Sequence, residues 1–171
     1  GIEQIAAACR QGGQLLAILP GDDQPDPELT GFGTLDGEAA HRLWQYGLHG
    51  GPENAKQLLR YGDALLGGSM DWREPAALVR AGLYWPGIAS PTIGDIQDKW
   101  VKGRPTAAVV FYRALLQAGN LAAVDALMTA LGDAGLNALP VFVQSLKDPV
   151  SAATVEGIFN NAPPAIILNA T

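Results

Sequence analysis

The chain has little of what many functions require. It carries one cysteine, Cys9, and two histidines, His41 and His49. A single thiol excludes an internal disulfide framework and suits a reducing compartment such as the cytoplasm. The two histidines are eight residues apart, not the four that put two imidazoles on one helix face, and no cysteine pair joins them. No apolar run approaches the ~20 residues that cross a bilayer. The N-terminus shows no basic stretch followed by an apolar one. Charged residues are only 16% of the chain, and 17 acidic side chains outnumber 11 basic ones. A net charge of −6 argues against a nucleic-acid partner, which needs a basic face to neutralise phosphates. No nucleophile with a positioned histidine, no spaced carboxylate pair and no metal set stands out, so no catalytic residue is assigned. Gly50-Gly51-Pro52 precedes a helical pattern, but no P-loop lysine and serine or threonine follow it, and Pro52 removes an amide donor, so no nucleotide site is expected.

What is present is apolar and patterned. Hydrophobic residues make up 48% of 171, enough for one sizeable core or two small ones. The stretch 104–171 reads β-α-β-α-β. Residues 106–112 (TAAVVFY) are too short for a helix and rich in strand formers. Residues 120–131 place Leu121, Val124, Leu127, Met128 and Leu131 on one helix face. Residues 139–143 (LPVFV) are a second strand. Asp148-Pro149 opens the next helix, with aspartate accepting an orphan amide and proline at the first position, where its missing N–H costs no bond. Pro163-Pro164 stops that helix before a third strand at 165–168. Strands apolar on both faces and separated by single amphipathic helices predict a parallel sheet covered on both sides.

The N-terminal region is read as a second α/β unit. Residues 15–19 (LLAIL) are a strand candidate, followed by an acidic, proline-rich loop with Asp22, Asp23, Asp26 and Glu28. That loop matches no calcium-binding spacing and reads as a solvated turn stiffened by Pro25 and Pro27. Helices are expected over 36–48, over 53–66 with Leu58, Leu59, Leu65 and Leu66 on one side, and over 92–101, with a short strand at 83–85. The boundary is placed at Lys102-Gly103-Arg104-Pro105, giving domains 1–103 and 104–171. Both ends look cut: the chain begins inside a helical pattern, and the second domain reads as incomplete at its C-terminus.

Several strings together resemble one family. They are LLAILPGDDQPDPEL (15–29), GGPENAKQLLRYGDALLGG (50–68), AGLYWPG (81–87), FYRALLQAGN (111–120), SLKDPVSAATV (145–155) and ILNAT (167–171). In order and along nearly the whole chain they are similar to the N-terminal part of the cobaltochelatase large subunit, a relative of the magnesium chelatase large subunit. Members are several times longer, so the resemblance implies a fragment. It implies an α/β fold of flavodoxin-like or Rossmann-like units. It also implies a cytoplasmic, ATP-dependent ligase of cobalamin biosynthesis that inserts cobalt into hydrogenobyrinic acid a,c-diamide. Two smaller subunits, one an ATPase motor, are the implied partners. Cobalt and ATP belong to the whole complex, and no cofactor is expected on this fragment, which alone is expected to be inactive. Protoporphyrin IX, as in magnesium chelatase, is the rival substrate. Two other readings are an interaction or lid module without ring contact, and a free-standing two-lobed binding protein.

In open α/β sheets ligands sit beyond the carboxyl ends of the strands. Here those ends bring forward Arg113, Lys147, Asn169 and Thr171 as substrate-binding candidates. An arginine fork there suits the carboxylates of a tetrapyrrole. Asp148 is read first as a helix cap, and the alternative for Arg113 is an ion pair with Asp148 or another carboxylate. Tyr84, Trp85 and Tyr112 offer flat surfaces to a macrocycle, or simply fill the core.

Overall fold

A computed structural model describes residues 1–171. Two compact units result, Gly1–Leu78 and Val79–Thr171.

The first unit is helical: α1 (Ile2–Gly12), α2 (Pro27–Thr30), α3 (Gly37–His49) and α4 (Gly51–Leu65). Local chemistry places the starts. Asp26 accepts from Leu29 N at 2.9 Å to cap α2, and Asp36 accepts from Ala39 N at 2.7 Å to cap α3. Between α3 and α4 the chain turns at Gly50 with φ 63°, a conformation that favours glycine. The core joins Ala39, Leu43 and Tyr46 of α3 to Tyr61 of α4, with Leu19, Leu35, Leu58, Leu65 and Trp72 packed around them. The four α4-region leucines do not share a side. Leu58 and Leu65 pack inward, whereas Leu59 and Leu66 are 72% and 77% exposed. Adjacent helical residues point in different directions, so each leucine pair splits, and Asn54 and Gln57 take the inner face instead.

Residues 15–19 form no strand, and the unit is therefore not α/β. A strand needs a neighbour, and the only pairing available is with Thr34: Leu16 N donates to Thr34 Oγ1 at 2.7 Å, and Thr34 N to Leu16 O at 2.9 Å. The irregular stretch 69–79 is held by side-chain amides. Asn54 donates to the carbonyls of Gly50 and Ala76 and accepts from Ala76 N, at 2.8, 2.9 and 2.9 Å. Gln57 accepts from Arg73 N at 3.0 Å. Arg42 completes the clamp. It bonds Glu38 and Glu74 at 2.9 Å each and stacks over Tyr61 and Trp72.

The second unit holds β1 (Ala81–Leu83), α5 (Ile93–Gln97), β2 (Thr106–Tyr112), α6 (Arg113–Gln117), α7 (Ala122–Asp133), β3 (Asn137–Val143), α8 (Pro149–Asn161) and β4 (Ile166–Ala170). Its sheet has the order β1-β3-β2-β4. β3 and β4 flank β2 in parallel, and β1 is antiparallel to β3. The expected β-α-β-α-β core is therefore present, with an antiparallel edge strand added. Period-two alternation sends Ala108, Val110, Leu139, Val141 and Val143 to one face, against Val155, Ile158 and Phe159 of α8 and Ile96 of α5. The alternate residues, including Val109, Phe111 and Phe142, are buried on the other face, where α7 packs on β2 and β3.

The division at Leu78 differs from the boundary expected at 102–105. Asn137 explains why. Its side chain is buried, donates to the carbonyls of Val101 and Arg104 at 3.0 and 3.1 Å, and accepts from Val101 N at 2.9 Å. A stretch with the composition of a linker is thereby tied into the second unit as a turn, and β1 joins the same sheet.

Asn137→Ala strands three backbone polar groups beside a buried site. A loss of about 1–3 kcal/mol in urea unfolding of the second unit is expected. Asn161→Ala, which removes only an exposed bond to Gly157 O, is expected to stay within about 0.5 kcal/mol of wild type.

Candidate functional site

The topology defines one edge. β2 is central, and the chain leaves it for β3 on one side, then returns past it to β4 on the other. Such a reversal opens a crevice beyond the carboxyl ends of the strands. The register fixes what stands there. Val143 pairs with both Tyr112 and Ala81, and Phe111 pairs with Ala170. One step further lie Gln144 on β3 and Arg113 on β2, with Thr171 next along β4.

Arg113 opens α6 directly after β2 and is half-buried, its Nε fully so. Lys147 is exposed in the turn that joins β3 to α8, where its backbone N donates to Ser145 Oγ at 3.1 Å. Asn169 and Thr171 bond each other: Asn169 Oδ1 accepts from Thr171 Oγ1 at 2.8 Å and from Thr171 N at 3.2 Å. All four candidates thus sit at the same edge of the sheet.

Asp148 has the cap role. It accepts from Ser151 N at 3.0 Å and from Ser151 Oγ at 2.7 Å. Those bonds, with a smaller contribution from Arg80, hold its carboxyl below the usual carboxylate range. The ion-pair partner that the structure gives Asp148 is Arg80, at 3.2 Å. Arg80 was absent from the sequence-based candidates. Because β1 runs antiparallel, its start lies at this edge and its end does not; no local signal announces that orientation.

The three aromatics part company for the same reason. Tyr112 stays 48% exposed at the carboxyl edge. Tyr84 follows β1 toward the opposite edge. It packs edge-on to Phe111 at 6.0 Å and donates to Asp125 Oδ1 at 2.8 Å. Burial first, and then that bond, push its phenol up to about 12. Trp85 packs against the sheet core and lines a cavity of about 470 Å³ with Trp100, Arg104 and Asn137 at the amino edge. Tyr84 and Trp85 are therefore not part of the carboxyl-edge crevice.

Charge is divided between the units. The first holds five basic and eleven acidic side chains, and the second six of each. The carboxyl edge carries Arg80, Arg113 and Lys147, with Asp148 as the acid bonded to Arg80. A carboxylate-bearing ligand fits that balance. No helix of the chain is long and apolar enough to cross a membrane.

Comparison with known proteins places these features in context. The family model described as CobN/Magnesium Chelatase matches residues 44–171. The aerobic cobaltochelatase subunit CobN of a Sinorhizobium species is 42% identical over 165 residues, covering 91% of this chain and 13% of the relative. The subunit of the same name from Pseudomonas aeruginosa is 42% identical over 172 residues, covering 100% of this chain and 14% of the relative. Among solved structures, the catalytic subunit of cobaltochelatase from Mycobacterium tuberculosis is 30% identical with a TM-score of 0.66, over 91% of this chain and 12% of that one. The chain thus spans roughly an eighth of the length of its relatives.

Asp148→Ala removes a charged cap. Because the native carboxyl is held low, its stabilisation is present at neutral pH and is lost as pH falls through the native pKa. A lower thermal midpoint than wild type is expected at pH 7, with the gap narrowing as acidification protonates the native carboxyl.

Proposed function

The chain belongs to the CobN/magnesium chelatase family, and we propose that it is a ring-holding portion of the large subunit of an aerobic, ATP-dependent cobaltochelatase. The observation that carries this reading is 42% identity, over 91–100% of the chain, to two proteins named aerobic cobaltochelatase subunit CobN. The substrate is hydrogenobyrinic acid a,c-diamide and the inserted metal is cobalt. The large subunit holds the ring and strips water from the metal. Two smaller subunits, one an ATPase, supply conformational work. The reaction forms nitrogen–metal bonds in cobalamin biosynthesis, and the setting is cytoplasmic, in keeping with a lone free Cys9.

Within this division of labour the chain's own residues bind rather than react. Arg113 presents a planar cation at the sheet's switch point, matched to a carboxylate. Lys147 adds an exposed charge from the neighbouring loop, and the Asn169–Thr171 pair supplies polar groups from β4. Neither nucleophile nor base is assigned here, so the isolated chain is expected to bind the ring without metallating it.

Titration of the purified chain with hydrogenobyrinic acid a,c-diamide, followed by tryptophan fluorescence and absorbance, tests this reading, with protoporphyrin IX in parallel. Saturable binding of the corrinoid in preference to the porphyrin is expected. Arg113→Ala is expected to weaken it about tenfold, the worth of one hydrogen bond to a charged group. Binding of neither ring would sink the ring-contact reading and leave this region as an assembly module of the large subunit. Preference for protoporphyrin IX would favour the magnesium enzyme.

A further inference from the structure

The carboxyl edge contains an arginine that no strand end announces. β1 enters the sheet antiparallel to β3, so Arg80 stands level with Gln144, whose backbone N donates to Arg80 O at 2.7 Å. On the other side of β3, Tyr112 pairs with Val143, which sets Arg113 one step beyond, also level with Gln144. Arg80 and Arg113 thus belong to one row across the sheet, two strands apart. Neighbouring strands are about 4.8 Å apart, which separates the two backbones by roughly 10 Å.

The surroundings of Arg80 are those of a held but available cation. Its Nη1 donates to Asp148 Oδ1 at 3.2 Å, while its side chain stays 55% exposed. Its other guanidinium nitrogens make no hydrogen bond within the chain. Asp148 is fixed independently, because its second oxygen takes both Ser151 donors. The carboxylate therefore steers the arginine from one side and leaves the rest of the fork facing outward.

We propose that Arg80 is a second ligand-binding arginine of this edge, oriented by Asp148, and that the Arg80–Arg113 row takes a ligand bearing at least two carboxylates on separate substituents. Two arginines whose backbones stand about 10 Å apart on separate strands suit carboxylates on separate substituents, since an arginine fork matches one carboxylate in two-point geometry. This rests on the reading of the carboxyl edge as a ring-contact surface and adds to it a residue, a positioning partner and the number of anionic groups recognised.

The test uses the 171-residue chain and hydrogenobyrinic acid a,c-diamide, with its methyl-esterified form as the ligand lacking carboxylates. Arg80→Gln and Arg113→Gln are each expected to raise Kd about tenfold toward the free acid and to leave the weak binding of the ester unchanged. Arg80→Lys, which keeps the charge and loses the fork, is expected to fall between Arg80→Gln and wild type. Asp148→Asn retains a good helix cap but loses the charge, so its melting curve at pH 7 should fall between those of wild type and Asp148→Ala while its Kd rises. Lys102→Gln, away from this edge, is the control expected to leave Kd unchanged. Wild-type affinity in Arg80→Gln together with weakened binding in Arg113→Gln would overturn this proposal and spare the ring-contact reading. Absence of saturable binding by wild type, or wild-type affinity in both arginine variants, would overturn both.

Discussion

The second unit depends on burying two strands on both of their faces. Every residue of β3 is buried, as are five consecutive residues of β2. A parallel pair with both faces dry must be covered by helices from both sides, and each helix must carry the chain back to the amino end of the next strand. α7 and α8 meet that demand. The polar residues that join strand to helix have only one place left, the carboxyl edge. Arg113, Lys147, Asn169 and Thr171 thus stand along one edge of the sheet, set there by the apolar strands behind them.

Irregular backbone is managed by a different device. Buried amide groups need partners, and stretches such as 69–79 and 101–105 have no ladder to join. Asn54, Gln57 and Asn137 act as substitute partners, each buried and each bonded to backbone of a distant segment. An asparagine side chain offers both a donor and an acceptor, so it imitates a peptide group where no strand is present. Arg42 adds a charged clamp. Glu74 and then Glu38 raise the guanidinium pKa further, so the arginine of this clamp keeps its charge.

The same economy shapes the candidate site. Asp148 serves as the cap of α8 and as the anchor of Arg80. One oxygen answers to local helix geometry and the other to a residue 68 positions away. A cap is a rigid fixture, and an arginine tied to it keeps its direction better than one held by a mobile side chain.

Much was legible in the sequence because it was local. The strand 106–112, the helix cap at Asp148, and the helical face of Val124, Met128 and Leu131 all follow from periodicity and capping chemistry within a few residues. The recurring motifs carried the family for the same reason. What could not be read depended on partners distant along the chain. LLAIL has the composition of a strand and remains irregular, since no strand in its unit pairs with it. A linker-like turn became part of a compact unit through Asn137. Arg80 reached the site through the direction of β1. Sequence by itself determined which segments are apolar, where helices begin and that a parallel sheet would form, because propensity and burial act on neighbours. Tertiary structure alone decided which strand lies beside which and in what direction, because hydrogen bonding between strands is indifferent to distance along the chain.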